Sequence, residues 1–271
     1  MAFALRDGAF ENQVVIVSGA GSGIGFEVAN HLAHYKAMVV LLDVDEGALK
    51  DVASAIREGS GTSIDPVIAK TDVSDEDSVA RAVGLAIEAG GHINGAVNVA
   101  GITRDARITK KTVSDFDLVY AVHVRGTFLV TREIAIQDWH KAFKANGNAP
   151  LADGRNRFIT NFSSVSARLG NPGQIDYTAA KGAIESMTRT TAREFTSYGV
   201  RVNAIAPGPV DTPMLAAVSE EVKQGMARST LLGRIATPQD MANGVCILSD
   251  NVASGFVTGQ IWQHNGGMFP G

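Results

Sequence analysis

The chain has 271 residues, 45% of them hydrophobic, which is enough to bury a sizeable core in one α/β domain. Its formal net charge of -4, with Lys and Arg outnumbered and scattered, excludes the basic footprint of a nucleic-acid or anionic-membrane binder and leaves a small molecule as the natural partner. The lone Cys246 excludes an internal disulfide and a cysteine-based metal site and fits a reducing cytoplasm; no apolar membrane-spanning run occurs, and no export leader is expected from Met1 to Asn12.

Short apolar runs alternate with amphipathic stretches from one end to the other. Strands are predicted at Val14 to Val17, Met38 to Leu42, Pro66 to Ala69, Ala96 to Val99, Phe158 to Phe162, Val200 to Ile205 and Gln260 to Trp262. Between them runs helical periodicity, as in Ile24, Val28, Ala29 and Leu32, or Ala183, Met187, Thr190, Ala192 and Phe195. This order predicts a doubly wound, Rossmann-like α/β fold, a seven-stranded parallel sheet with helices on both faces. No repeat or linker divides it, so residues 1–271 are read as a single domain. Two stretches break the rhythm. Trp139 to Arg157 carries Asn146, Gly147, Asn148, Pro150, Asp153 and Gly154 and reads as a surface loop. Asp211 to Gly233 is apolar but interrupted, which suits a lid over an apolar ligand or, equally, a helical hairpin.

The first strand runs into Ser18-Gly-Ala-Gly-Ser-Gly-Ile-Gly25 and then directly into a helix. Gly19, Ser22, Gly23, Ile24 and Gly25 therefore lie where backbone N–H groups at a helix N-terminus cradle a dinucleotide pyrophosphate. Asp43 and Val44 end the second strand, where a carboxylate accepts the ribose hydroxyls and repels a 2'-phosphate. No arginine stands in the glycine loop or beside Asp43, so NAD is favoured over NADP. A helix N-cap is the competing reading of Asp43. Asp72 and Val73 follow the third strand and suit the adenine edge and face, capping of the next helix being an equal account of Asp72.

Tyr177 and Lys181 lie one turn apart on one helical face, and a nearby ammonium favours the phenolate needed for proton exchange with an alcohol. Ser164, just past the fifth strand, is placed to hydrogen-bond the substrate oxygen.

In these motifs the chain resembles the short-chain dehydrogenase/reductase family, in the branch of the 3-oxoacyl-carrier-protein reductases and bacterial hydroxysteroid dehydrogenases. The resemblance runs from about Gln13 to Gly267 and adds Asn98-Val-Ala-Gly101, Asn203, Pro207-Gly208 and Thr212 in matching order. It implies Ser164, Tyr177 and Lys181 as catalytic residues. It also implies cofactor contacts from Asn98, Ala100 and Gly101, from Pro207, Gly208, Val210 and Thr212 near the nicotinamide, and from Lys181 and Tyr177 at its ribose. Tetramers or dimers built on the helices near Asp115 to Asp138 and Tyr177 to Tyr198 are implied as well.

The chain departs from the family pattern at His123, where a proton-relay asparagine is usual. His123 reads equally as a tolerated core histidine or as a replacement for that relay; in the second case its neutral form is the useful one, and activity falls as the pH drops through the imidazole range near 6.5. Val99 replaces a second asparagine, and Asn265 an aspartate before Gly266-Gly267. His31 and His34 have a metal-compatible spacing but no third ligand, and no metal is expected. The reading is an NAD-dependent secondary alcohol dehydrogenase or ketone reductase acting on a hydrophobic small molecule. A 3-oxoacyl thioester reductase is the alternative, and a catalytically silent NAD-binding regulator the third.

Overall fold

The computed structural model describes residues 5–61, 63–216 and 218–270. Seven strands form one all-parallel sheet in the order β3-β2-β1-β4-β5-β6-β7. They are β1 Val14–Ser18, β2 Met38–Asp43, β3 Val67–Lys70, β4 Gly95–Asn98, β5 Arg157–Phe162, β6 Val200–Ile205 and β7 Ile261–Trp262. Every predicted strand is present, with ends shifted by at most a residue or so.

Because side chains alternate across a strand, the sheet divides the apolar residues between two cores. Val15, Val17, Val39 and Leu41 point to one face, under α1 Gly23–His34, α2 Glu46–Gly59 and a later helix, Pro238–Ser249. Val14, Ile16, Val40 and Leu42 point to the other, under α3 Glu76–Gly90 and a long helix spanning 113–145. That long helix is built from α4 Val113–Tyr120, a π turn at Ala121–Arg125, α5 Gly126–Ile134, a second π turn at Ala135–Trp139 and α6 His140–Ala145. It is followed along the chain by α7 Ser166–Leu169 and α8 Ile175–Glu194, then α9 Glu220–Arg228, α10 Pro238–Ser249 and α11 Asn251–Ser254.

The predicted loop from Trp139 begins later than the sequence suggests. Residues 139–145 are helical, because the Trp139 indole is wholly buried, donates to the Ile93 carbonyl (2.9 Å) and packs edge-on against Phe195. Irregular chain starts only after Ala145. The stretch 211–233 folds into a 3-10 turn, Pro213–Leu215, and α9, none of whose residues is buried. Leu231 and Leu232 beyond it are 81% and 69% exposed, and Ala217 lies outside the described residues. No helix among the described residues is long and apolar enough to cross a membrane, and no group of three or more His, Cys, Asp or Glu is placed to hold a metal ion.

Candidate active site

Strand order reverses between β1 and β4, and in an open α/β sheet such a reversal opens a crevice at the carboxyl ends of the strands. The glycine loop leaves β1 at this point, and residues 99–101 leave β4. Ser18 Oγ ties the two together by accepting the Val99 and Ala100 N–H groups (3.2 and 3.3 Å). Gly25 is forced by the tightness of the loop, since a Cβ there would lie 1.9 Å from the Gly19 carbonyl oxygen. The N-terminus of α1 has Ser22 as N-cap with no side-chain hydrogen bond, and no acidic residue in its first turn. Its N–H groups and helix dipole are thus left for an anion, which fits the pyrophosphate of a dinucleotide. Thr212 closes over this end, 3.5 Å from the position of a Cβ on Gly23.

Asp43 is not a helix cap. Asp45 caps α2 by accepting Ala48 N–H, while Asp43 accepts the N–H groups of Gly21 (3.0 Å) and Asp45 (3.2 Å). The carboxylate therefore sits against the glycine loop, with Val44 exposed beside it. Asp75 caps α3, and Asp72 instead accepts the Ser74 N–H and hydroxyl groups (2.9 and 2.7 Å). Val73 is buried against Gly126. Asn98 turns into the sheet, donating to Asn161 Oδ1 (2.9 Å), and Asn203 braces the approach to β7 through Val257 and Gln260. Pro207, Gly208 and Val210 stand past β6, where the Pro207 carbonyl accepts Val165 N–H (2.8 Å) and Val210 bridges to Ala236.

Ser164, Tyr177, Lys181 and His123 converge, although β5, α8 and the first π turn supply them separately. The Ser164 hydroxyl accepts the Ser166 N–H (3.1 Å) and lies close enough to the Tyr177 phenol to lower its pKa. Lys181 Nζ lies 5.5 Å from the centre of the Tyr177 ring and donates to the Phe162 carbonyl (2.6 Å). The His123 ring stands edge-on to Tyr177 with centroids 5.3 Å apart. It lies directly over Gly101, where a Cβ would meet it at 2.3 Å.

Two electrostatic expectations are corrected here. Burial holds the Tyr177 phenol above its ordinary pKa, opposed by the nearby Ser164 hydroxyl, and Asp105 adds to the rise. Lys181 does not reverse this, because burial pushes its own pKa down to about 7 and an amine neutral above that pH does not stabilise a phenolate. His123 is pushed down to about 3, first by burial and then by Lys181, so its titration is removed from the range near 6.5. It is a neutral ring with Nε2 within bonding distance of both Ile102 N (3.0 Å) and Ile102 O (2.8 Å), and a buried Nδ1 without a partner.

The mouth of the site contains residues the sequence did not single out. The Lys111 ammonium pairs with Asp176 (2.7 Å) next to Tyr177, and Gln174 Nε2 donates to both carboxylate oxygens of Asp105 (3.1 and 3.0 Å). An acidic residue in the first turn of the tyrosine helix was the one visible signal. Lys111 is far away in sequence and offered none.

The family model described as enoyl-(acyl carrier protein) reductase matches residues 19–269. A 3-oxoacyl-[acyl-carrier-protein] reductase of Thermotoga maritima is 32% identical over 95% of this chain and 98% of its own. A (3R)-3-hydroxyacyl-CoA dehydrogenase of Rattus norvegicus is 32% identical over 99% and 100%. A solved short-chain dehydrogenase/reductase from Brucella melitensis superposes with a TM-score of 0.85 at 28% identity, covering 97% and 99% of the two chains. Fold and site together define a nicotinamide-dependent oxidoreductase acting between CH–OH and keto groups. The chain belongs to the short-chain dehydrogenase/reductase family.

Proposed function

We propose that this enzyme interconverts a secondary alcohol and a ketone on a hydrophobic small molecule, with NAD(H) as cofactor and Tyr177 as the proton-transfer residue. The reading is carried by the convergence of Ser164, Tyr177 and Lys181 beside the glycine cradle. The cradle, the open N-terminus of α1 and Asp43 would hold the dinucleotide, with Gly19, Ser22, Gly23, Ile24 and Gly25 at its phosphates. When bound, the nicotinamide supplies the hydride to the carbonyl carbon or takes it from the carbinol carbon.

In reduction Ser164 donates to the substrate oxygen and Tyr177 gives it a proton. The raised phenol pKa keeps that proton available at neutral pH. Lys181, near 7, is poised to return a proton to the phenol. In oxidation the proton moves the other way, from the substrate hydroxyl to Tyr177. The exposed apolar residues of 211–233 suit a lid over a hydrophobic substrate. The buried Cys246 suits a reducing cytoplasm, and a tetramer or dimer is proposed from the exposed faces of the long helix and α8.

The names of the Thermotoga and rat relatives favour a second substrate class, the 3-oxoacyl thioesters, whose keto group undergoes the same chemistry. An NADH fluorescence assay over ketones that include acetoacetyl-CoA separates the two classes. Absence of turnover on every member of the panel would leave the silent NAD-binding protein standing.

A further inference from the structure

Of the ion pairs among the described residues, Lys111–Asp176 is the one with both side chains buried, at 5% and 1% exposure. A buried ion pair is a poor source of stability, because desolvating two charges offsets most of their attraction, and an apolar pair of similar size commonly does as well. Its bonding here is fully specified instead. Asp176 Oδ2 accepts from Lys111 Nζ (2.7 Å), and Oδ1 accepts the N–H of Tyr177 (2.9 Å). The same ammonium donates to the Arg104 carbonyl oxygen.

Three further bonds stitch the same walls together, Ala106 N–H to Gly173 O (2.9 Å) and Gln174 Nε2 to both carboxylate oxygens of Asp105. The N-terminal turn of α8 has no side-chain cap at Gln174, so its first residues take their position from these ties. The ion pair is the buried member of the set and the one that bonds the tyrosine's own backbone.

We propose that Lys111 and Asp176 form a positioning pair, which fixes the first turn of α8 against the 102–111 segment and so sets the Tyr177 phenol in its place beside His123 and Lys181. The pair touches none of the reacting atoms. Its effect is on turnover far more than on cofactor affinity, since the glycine cradle and Asp43 lie on other elements and a small shift of Tyr177 leaves most of the cofactor contacts in place. The claim about turnover rests on the oxidoreductase reading above; the claim about where Tyr177 sits does not.

The deciding variant is the double substitution Lys111→Met with Asp176→Asn, which removes both charges and leaves no uncompensated ion. Either single change strands a buried charge and is the one at risk of misfolding. Three quantities are measured on the full-length double variant: the midpoint of thermal unfolding, the dissociation constant for NADH by fluorescence, and kcat on the best ketone. The fourth needs no substrate. The His123 Hε1 proton, observed by NMR in protein carrying labelled histidine and assigned with His123→Asn, feels the ring current of Tyr177 at its edge.

The expected result is wild-type unfolding and NADH binding, kcat lower by roughly tenfold, and a displaced His123 signal, because a small misplacement of a proton donor is costly. An unchanged kcat and an unmoved His123 signal in a folded double variant would overturn the proposal. So would a loss of turnover matched by an equal loss of NADH affinity, which would make the pair part of the cofactor site. If wild type reduces no ketone but the His123 signal still moves, the positioning pair stands and the oxidoreductase reading falls.

Discussion

Tyr177, Asp43 and His123 each carry a role that a single substitution isolates. Tyr177→Phe removes one hydroxyl from the proton path and leaves the ring in place. Turnover should fall by roughly two to four orders of magnitude with folding and NADH binding retained, as steady-state kinetics and fluorescence titration will show. Near-normal kcat would end the mechanism. Asp43→Ala removes the carboxylate that holds the glycine loop through Gly21 and is proposed to hold the cofactor ribose. NAD binding should weaken and the ratio of kcat/KM for NADH over NADPH should narrow; a wild-type enzyme more efficient with NADPH contradicts this assignment. For His123 the sign follows from its depressed pKa of about 3. Between that value and the ordinary one near 6.5 the unfolded chain binds the extra proton. Stability therefore falls as the pH drops through that window, by up to about 1.4 kcal/mol per unit. His123→Asn should flatten this acid loss in urea unfolding at pH 7.5 and pH 5, while the kcat profiles of the two proteins coincide between these values. An acidic limb near 6.5 that disappears in the variant would restore the catalytic titration the structure argues against. The residues themselves were legible in the sequence, because Tyr177 to Lys181 is one helical turn and Asp43 ends a strand. The signs of their pKa shifts were not, since burial of Tyr177, Lys181 and His123 is a property of the packed molecule.

Elements were legible wherever a period of two or of about three and a half residues persists. All seven strands and the crossover helices follow from that alternation, and the burial of β1 on both faces is the mark of a central parallel strand. Where the periodicity was interrupted, tertiary contacts decided. Trp139 begins a stretch rich in turn residues, yet its indole seats on Ile93 and carries the helix to Ala145 through a π turn. The Lys111–Asp176 pair was illegible for a similar reason, as only the fold brings the 102–111 segment to α8. The glycine loop shows the opposite case, in which sequence specifies geometry closely. A methyl on Gly25 has no space beside the Gly19 carbonyl, and because the obstacle is backbone it cannot rotate away. Gly25→Ala should displace the start of α1, abolish measurable NADH binding and lower the unfolding midpoint. Isothermal titration with NADH checks the first effect, and wild-type affinity in this variant would show that the pyrophosphate cradle lies elsewhere.

At the scale of the molecule, the helices that carry the site on their inner faces leave apolar side chains on their outer ones. Val113 (76% exposed), Phe128 (49%) and Ile136 (44%) lie along the 113–145 helix, and Ile175 (42%) opens α8. These are the helices that carry His123, Tyr177 and Lys181. A two-fold assembly on this face would bring each such residue into the contact twice, once from each protomer, so that association buries the apolar set of both protomers at once. It would also press the two helices onto the sheet, coupling assembly to the rigidity of the site. Phe128→Glu tests the arrangement, because symmetry brings the carboxylate into the contact twice, and each must be desolvated among apolar side chains. The particle mass from multi-angle light scattering should drop to a smaller species with the circular dichroism spectrum preserved, and kcat should decline as dissociation loosens the helices that seat Tyr177. A wild-type protein that is monomeric at micromolar concentration would end the assembly reading, and a Phe128→Glu variant of unchanged mass would place the assembly face elsewhere.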